Sequence, residues 1–175
     1  RSSAASDVYK RQVTCYGNVN SPQLVEDMIS VFEHNGIRVS IINSDECCGM
    51  PKYELGDLAS VAEFAKRNLE KMKPFINAGY KITAPIPSCV LMYRKELPLM
   101  FPEDENIEAL SNAMIDPFEL LMNLHKQGKL NTNFTNQLGN VAYHAPCHQR
   151  VQNIGPKTKE VLELIPGTKV SLIER

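Results

Sequence analysis

The chain of 175 residues predicts an α/β fold, a parallel sheet with helices on both faces. Three observations lead there. Short runs rich in β-branched residues alternate with longer stretches whose apolar residues recur at helical spacing, which is the pattern of parallel strands joined by crossover helices. All five cysteines, Cys15, Cys47, Cys48, Cys89 and Cys147, fall at or just beyond the carboxyl ends of the predicted strands, the edge where such sheets collect ligands. Finally, an order of strand, cysteine, helix and strand occurs twice, so the fold reads as a duplicated unit whose second copy is truncated.

Residues 1–12 are small, polar and charged without periodicity and are expected to lie outside the fold. Residues 2–12 also look like a translated sequencing adaptor, as in a gene fragment, and carry no weight in the fold reading. The first strand is predicted at 13–16. Ser21 and Pro22 then supply a helix N-cap and a proline at the first helical position, and Leu24, Val25, Met28, Ile29 and Phe32 form one apolar stripe. Asn35 and Gly36 stop that helix, and 37–42 reads as a buried strand. The Cys47-Cys48-Gly49 doublet follows. Leu58, Val61, Ala62, Ala65, Leu69 and Met72 make a second helical stripe, and 80–84 a further strand. Cys89 lies beyond it, after Pro85 and Pro87. Asp116, Pro117 and Glu119 start a capped helix that runs to His125 and ends at Gly128. A strand at 140–144 precedes Cys147.

The repeat is visible in the residues. Gly36-Ile37-Arg38-Val39-Ser40-Ile41-Ile42 is echoed by Gly167-Thr168-Lys169-Val170-Ser171-Leu172-Ile173, and the two glycines stand 21 residues after Cys15 and 20 after Cys147. The organisation expected is a leader at 1–12, a first cysteine-rich repeat at 13–135 and the start of a second at 136–175. By this register a second cysteine pair is expected within a few residues past Arg175.

Composition narrows the function classes. With 43% apolar and 22% charged residues the chain is globular, and 19 basic against 20 acidic residues give a net charge of -1, with no electrostatic reason to expect nucleic acid or an anionic membrane as partner. No apolar run approaches a membrane span. Irregularly spaced cysteines without a secretory signal point to a reducing, cytoplasmic setting where thiols act as ligands or nucleophiles. Adjacent cysteines disfavour a strain-free disulfide with each other, whereas two thiolates at one point of a turn can both reach a metal or cluster. No glycine-rich phosphate loop is present. Met50, Met92, Met100, Met114 and Met122 are dispersed and read as core. His34 and His125 fall near helix C-termini, where an imidazolium meets the dipole favourably.

The spacing of Cys15, 31 intervening residues, Cys47-Cys48-Gly49, 39 intervening residues and Cys89 resembles the cysteine-rich CCG domain family, whose pattern is a cysteine, about thirty-odd residues, CCG, about thirty-five residues and CxxC, usually present twice. That family includes the B subunit of heterodisulfide reductase, the glycolate oxidase and lactate-utilisation iron-sulfur proteins, and the C subunit of anaerobic glycerol-3-phosphate dehydrogenase. The strings Cys15-Tyr16-Gly17-Asn18-Val19-Asn20, Pro22-Gln23-Leu24 and Tyr143-His144-Ala145-Pro146-Cys147-His148 look most like the last branch.

The resemblance implies an iron-sulfur cluster, of 4Fe-4S type, on Cys15, Cys47, Cys48 and Cys89, and by the repeat Cys147 belongs to a second, truncated site. His144 and His148 flank Cys147 beyond a strand end, where they read either as hydrogen-bond donors to cluster sulfurs from outside the ligand set or as satisfied loop histidines. The resemblance also implies an oxidoreductase component that passes electrons between a flavin-containing dehydrogenase partner, with a ferredoxin-like iron-sulfur segment, and a quinone or disulfide acceptor. The location implied is cytoplasmic, either free or held at the inner face of the cell membrane through a partner, and the fragment is expected to be inactive alone. The chain departs from the full pattern at one ligand: Ile86 or Met92, depending on alignment, stands where the CxxC pair would have its other cysteine. Structural zinc is the rival for the same thiols. A partner-docking domain without redox activity and a thiol-disulfide oxidoreductase, for which no CxxC exists, are the other readings.

Overall fold

The computed structural model describes residues 8–12, 15–42 and 46–173, and the chain divides into two compact units, Arg1–Asp116 and Pro117–Arg175. In the first unit β1 (Val8–Gln12) is the middle strand of a parallel sheet, with β2 (Arg38–Ile42) on one side and β3 (Lys81–Thr83) on the other. The register runs from Val8 opposite Arg38 to Gln12 opposite Ile42, and from Tyr9 opposite Lys81 to Arg11 opposite Thr83. The strand expected at 13–16 therefore lies five residues earlier, inside the stretch expected to fall outside the fold. Helix α1 (Cys15–Val19) takes up Cys15 and Tyr16, so strand pairing has to end before them; Val13 and Thr14 lie outside the described residues. Beyond β3 a single parallel bridge joins Ile82 to Met114, and the Ile115 amide donates to the Ile82 carbonyl at 2.9 Å.

Helix α2 (Pro22–His34) begins as predicted, with Ser21 at the N-cap and proline in the first turn, and buries Val25 and Phe32. Its end is a Schellman motif. The Ile37 amide reaches back to the Phe32 carbonyl at 3.0 Å, the Gly36 amide to Glu33 at 2.9 Å, and Gly36 has a φ of 72°, a left-handed conformation that glycine adopts without a side-chain clash. After the doublet come α3 (Met50–Glu54) and the long α4 (Leu58–Asn77), whose N-cap Asp57 accepts from the Ser60 amide. The residues α4 buries are Val61, Ala65, Asn68 and Met72. Their spacing is one helical stripe, and the two larger apolar side chains contribute roughly 1.5–3 kcal/mol each by leaving water.

From Pro87 to Met100 the chain is helical throughout but not uniform. Helix α5 (Pro87–Leu91) passes into a π-helical stretch, Met92–Glu96, and then into α6 (Leu97–Met100). Pro98 accounts for the change: it has no amide to return to the carbonyl four residues earlier, and its ring would clash with that carbonyl. That carbonyl belongs to Arg94, and the Ser111 hydroxyl of α7 (Glu105–Ala113) donates to it at 2.8 Å. Val90, Met92, Tyr93 and Leu97 have no exposed surface, and they join Cys48, Met50, Val61, Ile82 and Cys89 in one apolar cluster.

In the second unit α8 (Pro117–Lys126) is followed by β4 (Asn140–Tyr143), α9 (Cys147–Arg150), α10 (Lys157–Leu162) and β5 (Lys169–Leu172), with β4 and β5 parallel and α8 packed on α10. The element order repeats that of the first unit. Strand, a helix whose first residue is a cysteine, a second helix, a left-handed glycine and a parallel strand occur in both, and Gly167 has a φ of 74° beside the 72° of Gly36.

Candidate functional site

The turn between β2 and α3 carries the doublet. Ile42, at the end of β2, is buried in the apolar cluster, and Cys48 and Met50 enter the same cluster, while Cys47 packs against its edge. Gly49 makes the turn possible. Its φ is 98°, and a Cβ on it would meet Val61 Cγ1 at 3.4 Å. Its amide donates to Cys47 Sγ at 3.4 Å, and its carbonyl starts α3 by accepting from the Lys52 and Tyr53 amides. The turn is also held from α4: Arg67 Nε lies 2.9 Å from Glu46 Oε1, and Asn68 Nδ2 donates to the Cys47 carbonyl at 2.9 Å.

The other two thiols of the first unit arrive from helix starts. Cys15 is the first residue of α1 and Cys89 the third of α5, so both belong to short helices rather than to the open strand ends expected from the sequence. The four thiols are neighbours along one run, Cys15 beside Cys47, Cys47 beside Cys48, and Cys48 beside Cys89, each pair close enough for one thiol to bear on the acidity of the other. Burial increases along it. Cys15 and Cys47 are half-buried, whereas Cys48 and Cys89 are each 3% exposed. The contacts are pairwise, and among the described residues no three His, Cys, Asp or Glu side chains close around one point as a set that could hold a metal ion.

The run shifts the acidity of its members. Desolvation first, and then the neighbouring Cys47, push the Cys15 thiol above its ordinary value. The hydrogen bond to Cys48, with burial behind it, pushes Cys47 far up. At Cys48 the bond with Cys47 pulls downward, but the bond with Cys89 and burial outweigh it, and the thiol is again strongly raised. Without a cation to ligate, the doublet is therefore a pair of neutral thiols at neutral pH.

The donor set is four soft sulfur atoms, with one backbone amide aimed at a sulfur from Gly49, and it suits iron-sulfur clusters or zinc rather than calcium or magnesium. Ile86 is the N-cap of α5 and its carbonyl accepts from the Cys89 amide at 3.0 Å. Met92 is fully buried one turn after Cys89. Both positions where a fifth cysteine would belong are thus apolar and packed in or against the cluster that holds Cys48 and Cys89.

Among known proteins, the match to the cysteine-rich domain named CCG runs over residues 9–94 and takes in Cys15, the doublet and Cys89. Residues 9–94 belong to the CCG cysteine-rich domain family. The CCG domain here is similar to parts of several curated proteins. The C subunit of anaerobic glycerol-3-phosphate dehydrogenase from Escherichia coli K12 is 29% identical over 184 residues, covering 99% of this chain and 45% of that protein. Lactate utilization protein A of Geobacillus kaustophilus is 27% identical, covering 90% of this chain and 65% of the relative, and lactate utilization protein A 1 of Bacillus mycoides is 24% identical over 90% and 64%. The chain thus spans less than two thirds of the length of each. No solved structure matches the chain.

The remaining predicted residues lie in the second unit. Cys147 opens α9 and is exposed, His144 is exposed after β4, and half-buried His148 follows Cys147, with its carbonyl accepting from Gln152 Nε2 at 3.2 Å. The sequence reading missed Asn68, Arg67 and Glu46. A signal for Asn68 existed: it is a polar residue on the buried stripe of α4, between Ala65 and Met72. No helix among the described residues is long and apolar enough to cross a membrane.

Proposed function

We propose that Cys15, Cys47, Cys48 and Cys89 of the CCG domain hold an iron-sulfur cluster and that the domain works in electron transfer. One observation carries the reading: thiols from three separate parts of the chain meet in a continuous run at the carboxyl end of a parallel sheet. When bound, such a cluster supplies a one-electron carrier whose potential depends on burial and on hydrogen bonds to its sulfurs. The chain's own residues supply those two controls. The apolar cluster around Cys48 and Cys89 excludes water, and the Gly49 amide offers a hydrogen bond to Cys47 Sγ. Loading requires the raised thiols to give up their protons to solvent, so it is favoured as pH rises.

The names of the similar proteins, a dehydrogenase subunit and lactate utilization proteins, support a place in a dehydrogenase complex. In this reading the cluster is of 4Fe-4S type, its partners are a flavin-containing subunit and a ferredoxin-like segment, and its acceptor is a quinone or a disulfide. The location is cytoplasmic or at the inner membrane face. Cys147, with His144 and His148 beside it, belongs to the second site of the repeat.

The test is anaerobic incubation with iron and sulfide. A brown protein with bound iron and acid-labile sulfide is expected, and Cys47→Ser and Cys48→Ser each abolish its reducible signal; retention in both variants overturns the proposal. The chemistry of the donor set supports a second reading, since thiolates are also the usual ligands of structural zinc. A colourless protein with stoichiometric zinc and no iron or sulfide decides for it.

A further inference from the structure

We infer that Asn68 is a positioning residue for the Cys47-Cys48 doublet, acting through the Cys47 carbonyl. The inference rests on the reading of the doublet as a ligand pair. Asn68 has no exposed surface and stands on the stripe of α4 that otherwise buries Val61, Ala65 and Met72. A buried carboxamide on an apolar stripe is tolerated only where it finds hydrogen-bond partners. The Asn68 Nδ2 donor finds the Cys47 carbonyl at 2.9 Å, 21 residues away in sequence.

That carbonyl is a well-chosen handle. It belongs to the peptide that joins Cys47 to Cys48, and because a peptide unit is planar and rigid, holding its oxygen holds the plane on which both Cα atoms lie. The direction in which each thiol leaves the backbone follows from that plane. Arg67, next to Asn68 on the helix, meets the preceding residue through Glu46 at 2.9 Å. Successive helical residues project about 100° apart, so the two side chains approach the turn from different sides. The Arg67 pair is partly exposed and contributes little hold of its own. The buried amide is the one that fixes the doublet.

Thiol reactivity in the reduced, metal-free full chain tests this without any cluster. Wild type, Asn68→Leu and Asn68→Ala are treated with iodoacetamide, and the rate at each cysteine is read by peptide mass spectrometry, with exposed Cys147 as internal reference. Leucine keeps the volume and removes the donor; alanine leaves room for a water to serve the carbonyl. Relative to Cys147, Cys47 and Cys48 are expected to react about tenfold faster in Asn68→Leu, the ratio one net hydrogen bond supports, and by an intermediate factor in Asn68→Ala. If Asn68→Leu fails to give the wild-type circular dichroism spectrum, Asn68→Ala alone carries the measurement. Unchanged ratios overturn the inference, and so does equal acceleration at Cys15, Cys47, Cys48 and Cys89, which is general loosening. Failure of wild type to bind iron sinks the cluster proposal and leaves this result standing.

Discussion

Gly49 lies against Val61 with only 3.4 Å between the place of a Cβ on the glycine and Val61 Cγ1. The backbone at this point explains why the doublet is followed by glycine. At a φ of 98° the chain turns from Cys48 into α3, a conformation in which L side chains are strained, and the turn lies directly on a fully buried valine of α4. Backbone shape is therefore what demands glycine, and a Cβ there would add a van der Waals contact with Val61.

Gly49→Ala is expected to destabilise the protein by about 1–2 kcal/mol from backbone strain, and by more if Val61 has to give way. Gly56→Ala is the control. Gly56 also has a positive φ, 76°, but nothing stands within 4 Å of its Cβ position. Urea midpoints of the two variants should both fall, with Gly49→Ala lower; equal midpoints would remove the Val61 contact from the argument.

The thiols give the metal-free protein a dependence on alkaline pH. Cys15, Cys47 and Cys48 are all raised above the ordinary thiol value of 9.0. The folded state therefore keeps protons that the unfolded chain releases. The stability this contributes is fully present below about pH 9 and is lost as pH rises above it. Melting temperatures of the reduced, metal-free chain should decline from pH 9 upward, and Cys47→Ala should decline less steeply. A flat profile to pH 11 contradicts it.

Much of this was readable in the residues, for identifiable reasons. The stripes of α2 and α4, the Gly36 stop and the echo at Gly167 are local patterns, and each produced the element it implied. The cysteine spacing singled out Cys15, Cys47, Cys48 and Cys89, and three of these thiols have their acidity raised partly by another of the four. What escaped was set by tertiary neighbours. The first strand stands at Val8–Gln12 because helix α1 takes Cys15 and Tyr16, and Cys89 lies within α5 because Pro87 begins a helix instead of ending a loop. Asn68 was passed over because its partner is a backbone carbonyl 21 residues away, which no side-chain pattern announces.

The π-helical stretch offers a sharper test of the link between Pro98 and Ser111. The Arg94 carbonyl, to which Pro98 has no amide to donate, accepts from Ser111 Oγ at 2.8 Å. Ser111→Ala removes that donor at a half-buried site and is expected to cost about 0.5–1.5 kcal/mol. In a Pro98→Ala background the helix can supply its own amide, so the same substitution should cost less. A double-mutant cycle on urea midpoints measures the coupling; additive effects would separate the two residues.

Asp57 supplies the acid-side counterpart. It accepts from the Ser60 hydroxyl at 2.7 Å and the Ser60 amide at 3.2 Å, and pairs with Lys52 at 3.0 Å. The Ser60 hydroxyl first, and then Lys52, hold its carboxyl down at about 2, against an ordinary 3.8. A depressed carboxylate stabilises the fold above its unfolded value and loses that effect as pH falls through the folded one. The window is therefore from about pH 4 down to pH 2. Asp57→Ala should melt below wild type at pH 6, and the gap should close across that window. Asp57→Asn keeps an acceptor for the Ser60 amide and should fall between them at pH 6. A gap that stays constant from pH 6 to pH 2 would mean that the side chain acts by shape rather than by charge.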